Sequence, residues 1–329
     1  MATERIGVAL PGSASVPDDE FAQSVESLGY ESVWVGENWG ANVFLRLAEM
    51  VDATTEIDVG TAIANVYSRS PATLAMTAAN LEEASDGRFR LGVGPSSPAL
   101  IENLHGVAFE RPVRRTHETV ELVRAFTEGE GRVEYDGDLF EVSGFPSLEA
   151  SFPIYNAAAG EANRRATGRL CDGWLPHLIP RSRLPESLET ITKAARDVGR
   201  DPDRMTVTPY VPAVVDEDAE HARETVSNHV AFYVGNSGSF RQAVAAAFPE
   251  ATDVVATRWN EGNRGAAAAA VTEAMLEELC VYGTAEEARE RLRPFLEADV
   301  IDVPLLSIPE DIDAEAIDRT VEALAPTAL

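Results

Sequence analysis

The sequence predicts an α/β protein, a single (β/α)8 barrel of the TIM type with helical insertions. Three observations carry that expectation. Eight short runs rich in β-branched and small apolar residues are each followed by a longer helical pattern, the order that builds a parallel sheet from βα units. No stretch is rich enough in Pro, Gly or Ser to demand a domain boundary, so residues 1–329 read as one unit. At about 218–279 the alternation gives way to helical sequence alone, which reads as an insertion. A doubly wound open sheet is the alternative that a strand count leaves standing.

Ile6 to Leu10 is the first strand and Asp18 to Leu28 the first helix, whose acidic opening turn suits the helix dipole and which Gly29 closes. Ser32 to Gly36 is the second strand, Asn42 to Val51 a helix and Ile57 to Ala64 the third strand. Pro71 opens a long helix that ends before Gly87. Phe89 to Val93 is the fourth strand, followed by a Gly/Pro/Ser loop and a helix from about Val113 to Thr127. Arg132 to Val142, centred on Asp136-Gly137, reads as a hairpin excursion before the fifth strand at Phe152 to Ala157. Helix Glu161 to Leu170, strand Gly173 to Leu178, helix Arg183 to Val198 and strand Thr206 to Val215 keep the rhythm. Beyond the helical stretch, which holds the alanine run Ala266 to Ala270, come helix Thr284 to Leu296, strand Ile301 to Leu306 and helix Ala314 to Leu324. That completes eight units.

Composition narrows the setting. The chain carries 55 acidic against 27 basic residues, a net charge of −28, and Lys193 is its sole lysine. Nucleic acid and anionic membrane are excluded as partners, because both need cationic surface. Self-repulsion at this charge is relieved by screening, and the Debye length falls to about 3 Å at molar salt. The expectation is a cytoplasmic protein of a salt-accumulating halophile. Cys171 and Cys280 are far apart and belong to no metal or disulfide spacing, and no run approaches the ~18 apolar residues of a membrane span.

In a closed βα barrel the chemistry sits at the C-terminal ends of the strands. The residues there are Pro11 to Ser13, Glu37 to Trp39, Ala64 to Tyr67, Gly94 to Ser97, Asn156 to Asn163 and His177. They hold few ionisable groups, no paired carboxylates, no Ser/His/Asp arrangement and no metal-ligand spacing. Such a mouth suits a cofactor that carries the reaction while the protein orients it. Gly92-Val-Gly-Pro-Ser-Ser97 and Gly160-Glu-Ala-Asn163 lie at strand-to-helix turns, where backbone N–H groups can meet a phosphate. A Gly-x-Gly-x-x-Gly after the first strand is absent, which disfavours a Rossmann dinucleotide site.

The run Asp58-Val-Gly-Thr-Ala-Ile-Ala-Asn-Val-Tyr-Ser-Arg-Ser-Pro71, then Leu74-Ala75, Leu81 and Ser85-Asp-Gly-Arg-Phe-Arg-Leu-Gly-Val-Gly94, resembles the luciferase-like monooxygenase superfamily. Gly29 to Val35 and Leu170-Cys-Asp-Gly-Trp174 match the same pattern, so the likeness spans nearly the whole chain. Within it, Asn65, Tyr67, Arg69-Ser-Pro71, Leu91 to Pro95 and Glu273 to Leu279 followed by Val281-Tyr-Gly-Thr284 most resemble the coenzyme F420-dependent methylene-tetrahydromethanopterin reductases.

The resemblance implies a barrel whose mouth holds F420, with FMN as the alternative. It implies a bulge with a non-prolyl cis peptide near Ala62-Ile63, and cofactor contacts from Ala62, Ile63, Asn65, Gly94, Ser96 and Ser97. It maps the phosphate turn to Gly160, Glu161, Ala162 and Asn163, and places Glu37 and Asn38 near ring and substrate, although Asn38 stands where a histidine is usual. Two departures stand out. Those reductases resemble one another in a first-strand glutamate that serves as proton donor, and the aligned residue here is Ala9; the loop after Gly94 reads Pro95-Ser96-Ser97 rather than Pro-Gly-Asp. Either another group supplies the proton, with Glu37 the best candidate, or the substrate is not a methylene-tetrahydropterin.

His177 ends a strand at the mouth and reads as a substrate contact or a satisfied structural residue. His105, His117, His221 and His229 read as surface or packing residues, and Trp39 as a rim residue that stacks on a ring or seals the pocket. Arg164 and Arg165 adjoin the phosphate turn, where helix-surface arginine is the default. The functional expectation is an F420-dependent oxidoreductase acting on a small molecule, most simply a methylene-tetrahydropterin or methylene-tetrahydrofolate type one-carbon carrier, as a homodimer or homotetramer. The alternatives are an FMN-dependent monooxygenase on the same barrel and a non-catalytic flavin-binding barrel.

Overall fold

Runs of consecutive apolar residues between helical segments bury both faces of a strand, and the chain is built on that pattern. The computed structural model describes residues 4–11, 13–14, 16–310 and 312–329. Strand β1 (Gly7–Leu10), helix α1 (Asp18–Ser27), strand β2 (Ser32–Val35) and helix α2 (Val43–Ala53) open it, with every residue of both strands buried. The third barrel strand comes in two pieces, β3 (Asp58–Thr61) and β4 (Ala64–Asn65), and is followed by α3 (Pro71–Ala84), which Ser70 caps by accepting from the Thr73 N–H. Then come β5 (Phe89–Gly94), a short α4 (Pro98–Asn103), α5 (Pro112–Glu128) and the antiparallel hairpin β6 (Arg132–Asp136) and β7 (Glu141–Pro146).

The second half holds β8 (Ile154–Asn156), α6 (Glu161–Leu170), β9 (Gly173–Trp174), α7 (Leu184–Asp197), β10 (Thr206–Val207) and β11 (Tyr210–Val215). Helices α8 (Ala219–Asn236), α9 (Gly238–Ala245), α10 (Pro249–Asn260), α11 (Arg264–Ala269) and α12 (Glu273–Leu279) follow without a strand between them. The chain finishes with β12 (Val281–Gly283), α13 (Ala285–Leu296), β13 (Leu305–Ser307) and α14 (Ala314–Ala323).

All barrel strands are parallel, and the ladder closes. From β1 it runs through β2, β3 and β4, β5, β8 and β9 to β10 on one side, and through β13 to β11 on the other. Strands β10 and β11 are two halves of one stave, parted at Thr208-Pro209, where proline has no N–H to give the ladder. On one side of that stave Thr206 N–H donates to Asp172 O (2.9 Å) and Tyr210 N–H to Pro176 O (2.9 Å); on the other, Leu305 N–H donates to Pro209 O (2.9 Å). Eight staves therefore form a ring, and the open doubly wound sheet is excluded.

Inside the ring Ala9, Trp34, Tyr155, Leu175 and Leu305 pack together, with Ala62, Ile63, Ala157 and Tyr210 against them. Trp34 fits because Gly60 lacks a side chain: a Cβ there would stand 2.4 Å from the indole. A larger apolar layer joins strands to helices, and a separate cluster built on Val226, Val230, Val234, Met275 and Leu276 holds α8 to α12 together. The strand expected at Gly173 to Leu178 stops at Trp174 and the one expected at Ile301 to Leu306 lies at Leu305–Ser307, and two elements are not expected at all. Pro98 and the Ser97 cap start α4 in what reads as loop, and Val281–Gly283 pairs with Ala213–Val215 of β11 as an additional strand. Among the described residues no helix is long and apolar enough to cross a membrane.

Candidate functional site

At the C-terminal end of β2, Glu37 turns inward and is only 8% exposed. Its Oε2 accepts from the Asn65 backbone N–H (2.8 Å) and from Asn65 Nδ2 (2.8 Å), with Ser68 Oγ at 3.5 Å, and the Arg69 guanidinium pairs with the same carboxylate. Arg69 lies over the Phe44 ring, 4.7 Å from its centroid. Asn65 is 1% exposed, and its Oδ1 accepts from the N–H groups of Tyr67 (3.0 Å) and Ser68 (2.8 Å). Its Nδ2 also faces His105 Nε2 at 3.5 Å. Every polar atom of the Asn65 side chain thus has a partner within the protein, and together these contacts fix the turn 65–68. Glu37, expected to handle a proton, serves in these contacts as the acceptor that anchors the same turn.

The floor of the mouth is made of small groups. The peptide between Ala62 and Ile63 is cis, at the break between β3 and β4 where the sequence places it. Ala62 N–H donates to Val35 O (2.7 Å) and Ile63 O accepts from Glu37 N–H (3.2 Å), which ties the break to β2. Ala62 and Ile63 are half-buried, and Gly94 lies beside them: a Cβ on it would meet Ile63 at 3.2 Å and Ala157 at 3.3 Å. Ser96 takes a left-handed φ of 61°, and the Ser97 hydroxyl accepts from Leu100 N–H (3.3 Å), capping α4.

Across this floor lies the start of α6. Gly160 is its N-cap and supplies no side-chain acceptor, so the first N–H groups of Glu161, Ala162 and Asn163 have no capping group. Gly160 is exposed with φ −82°, and an added Cβ would meet nothing within 4 Å, so nothing in the protein itself requires glycine there. The Asn163 side chain points the other way, into the fold, where its Oδ1 accepts from Asn156 Nδ2 (3.1 Å). Its backbone lies in the first turn of α6. Arg164 donates from Nη1 to Ala159 O (2.6 Å), while Arg165 pairs with Glu161.

His177 sits half-buried between the barrel and the helical segment, its ring 5.1 Å from Tyr210, 4.6 Å from Tyr233 and 5.1 Å from Phe240. His177 Nε2 faces His229 Nε2 at 3.4 Å. Burial, and then the neighbouring ring, hold His177 well below the usual imidazole range, and burial pushes His229 down to about 4. Both rings are neutral at pH 7. Asn38 Nδ2 donates to Glu310 Oε1, in the loop after β13, and burial with a lesser push from the Glu310 charge raises Tyr233 to about 12. Trp39 is 74% exposed on the rim. Ala9 is buried in the cluster with Trp34 and Tyr155, and its carbonyl accepts from Ile308 N–H (3.0 Å). Gly12, within the expected rim segment, lies outside the described residues.

Sequence reasoning missed His105, His229 and Glu310. Glu310 follows a barrel strand, so the rule that found Glu37 reaches it as well; the two histidines arrive from segments distant in sequence and carry no local signal. A cavity of about 920 Å³ opens at the opposite, N-terminal end of the strands. Its walls are ion-paired: Arg5 with Glu31 (2.5 Å), Arg90 with Asp58 (2.8 Å), and Arg124 and Arg200 with Asp172 (2.6 and 2.8 Å). That end of a βα barrel serves stability, and pairs that already satisfy each other have little to offer a reactant. Among the described residues no group of three or more His, Cys, Asp or Glu is placed to hold a metal ion.

With the geometry in place, comparison with known proteins is informative. The sequence pattern of the family described as luciferase-like monooxygenase matches residues 18–302. A 5,10-methylenetetrahydromethanopterin reductase of Methanolobus tindarius is 28% identical over 302 residues, covering 89% of this chain and 92% of that protein. Among solved structures, the coenzyme F420-dependent tetrahydromethanopterin reductase from Methanopyrus kandleri superposes with a TM-score of 0.81 at 22% identity, covering 98% of each chain. An F420-dependent secondary alcohol dehydrogenase in complex with an F420–acetone adduct gives 0.77 at 22% identity, covering 99% of each.

Proposed function

The chain belongs to the luciferase-like monooxygenase family, and on that premise we propose that it is a coenzyme F420-dependent oxidoreductase. Its proposed substrate is a one-carbon carrier of the methylene-tetrahydropterin or methylene-tetrahydrofolate type, in keeping with the reductases it resembles. The observation that carries the reading is a floor of half-buried Ala62, Ile63 and Ala157 around buried Gly94, beside the uncapped start of α6. A flat ring needs small apolar groups beneath it, and a phosphate tail needs unpaired N–H groups at a helix N-terminus. Bound F420 would supply the hydride donor or acceptor.

The chain's own residues supply orientation and dryness. Glu161, Ala162 and Asn163 offer backbone N–H groups to the anion, and Gly160 leaves room for it to approach. Glu37, Asn65 and Arg69 hold the 65–68 turn against the floor. Tyr67 stacks on Phe109 at 5.3 Å and donates from its hydroxyl to Glu110 O (2.9 Å), which lays the 104–111 loop over that turn and keeps Tyr67 itself from water. The aromatic wall of His177, Tyr210, Tyr233 and Phe240 suits a planar heteroaromatic substrate, with the Asn38–Glu310 pair close enough for the Glu310 charge to act on Tyr233. An oligomer would cover exposed apolar side chains such as Leu45 and Met76, and we read the protein as a homodimer or homotetramer.

The test is to incubate the protein in concentrated KCl with F420 and, separately, with FMN, and to identify which flavin co-elutes on gel filtration. Retention of FMN but not F420 overturns the proposal in favour of a monooxygenase. Retention of F420 with no hydride transfer to one-carbon carriers or alcohols removes the substrate assignment.

A further inference from the structure

Asn65 cannot be turned over. Its Oδ1 accepts from two backbone N–H groups, of Tyr67 and Ser68, so Nδ2 must be the atom that faces Glu37 and His105. Both Nδ2 hydrogens are then assigned, one to Glu37 Oε2 at 2.8 Å and one to His105 Nε2 at 3.5 Å. An amide N–H pointing at an imidazole nitrogen requires that nitrogen to be an acceptor. The neutral His105 ring therefore carries its hydrogen on Nδ1. Asn65 is 1% exposed while His105 is half-buried, so the ring edge away from Asn65 is the one that reaches outward.

From this chain we infer that His105 is a neutral hydrogen-bond donor of the site, presenting Nδ1–H to a carbonyl oxygen or ring nitrogen of the bound ligand. Asn65 is the residue that fixes its tautomer, and Glu37, held by Arg69, is the residue that fixes Asn65. The inference rests on the mouth being the reactive site, as proposed above. It assigns a function to a histidine that follows no barrel strand and lies 40 residues from its partner in sequence. A neutral imidazole polarises a carbonyl by donation without giving up its proton, so the step is electrostatic, with no transfer to balance.

The first arm of the test needs no cofactor. Protein labelled with 15N-histidine, read by long-range 1H–15N correlation at pH 8, should show His105 in the Nδ1–H tautomer. Asn65→Asp, which puts an acceptor where Nδ2 stood, should turn it to Nε2–H. A wild-type His105 with its hydrogen on Nε2 overturns the inference, whether or not the variant folds.

The second arm uses the loaded enzyme. His105→Phe should lower kcat/KM by about 10²-fold with F420 affinity held within about twofold. His105→Asn, whose amide nitrogen overlaps Nδ1, should recover part of the loss, and His105→Gln, whose amide nitrogen overlaps Nε2, should not. Wild-type turnover in His105→Phe, or equal rescue by Asn and Gln, overturns the ligand-facing role. Failure to bind F420 at all would instead overturn the cofactor assignment and leave the tautomer result standing.

Discussion

Replacing Glu37 by glutamine separates two jobs that one carboxylate can do. The side chain keeps its length and loses its charge, so Arg69 forfeits its ion pair and an NH2 group must face either that cation or the donors of Asn65. Breaking a fully buried pair while leaving one charge behind costs about 3–5 kcal/mol. Here Arg69 retains 16% exposure and the Phe44 ring beneath it, so a loss of about 2 kcal/mol is expected. Unfolding entropy is about 2.1 cal/mol/K per residue, roughly 0.7 kcal/mol/K for a chain of 329 residues, which converts that loss to a fall in Tm of about 3 °C. Calorimetry in molar KCl is the assay, because a pair this buried is little screened. Arg69→Met should cost a comparable amount, and the double variant less than the sum of the two. An unchanged Tm with reduced turnover at constant F420 affinity would refute the anchoring argument and return Glu37 to direct work on the substrate.

Gly160→Leu should leave Tm unchanged, since φ is −82° and the added Cβ meets nothing, yet weaken F420 binding by tenfold or more in a fluorescence titration; unchanged affinity would move the anion site elsewhere. Acid should loosen the seam between barrel and helical segment. His229 titrates at about 4 folded against about 6.5 unfolded, so its contribution is present in full above pH 6.5, is lost as pH falls toward 4, and amounts to a loss of roughly 2 kcal/mol at pH 5. His177 shifts in the same direction, and His229→Phe should flatten the decline in Tm between pH 7 and 5.

Much of the fold is legible because its signals are local. Proline at the first position of α3, acidic residues opening α1 and the uninterrupted apolar runs of β1 and β2 each act within a few residues. Helix α6 falls at Glu161–Leu170, where the pattern puts it. The exceptions depend on distant partners. Val281–Gly283 is too short to declare itself and becomes a strand only because β11 offers an edge at Ala213–Val215. Helix α4 has a start signal in Ser97-Pro98, but six residues between loop segments do not outweigh Gly, Pro and Ser in a composition-based reading.

The site divides along the same line. Backbone features, the Ala62-Ile63 break and the Gly160 turn, are tied to short motifs and so could be placed in advance. Side-chain roles could not, because they are decided by contacts across 28 residues for Glu37 with Asn65 and 40 for Asn65 with His105. A residue can stand at the correct rim position, as Asn65 does, and have all its polar atoms consumed by neighbours no motif mentions.

The net charge of −28 becomes a constraint on how an anionic ligand enters. Four arginines at the N-terminal end are matched to carboxylates, so that end gives little attraction to an incoming anion. At the mouth Arg69 is bound to Glu37 and Arg165 to Glu161. Arg164 differs: one nitrogen holds Ala159 O, its buried Nε has no partner among the described residues, and burial lowers its pKa. Local attraction from this guanidinium and the α6 N–H groups acts over a few ångströms, whereas repulsion from the whole molecule acts over the Debye length. Raising salt shortens the second range toward about 3 Å and barely touches the first. F420 affinity should therefore rise with KCl from about 0.1 M to about 3 M, the reverse of an exposed basic site, and Arg164→Leu should lower it at every salt concentration. A Kd that weakens steadily with salt would show that exposed cations dominate binding, and would remove both α6 and Arg164 from the anion site.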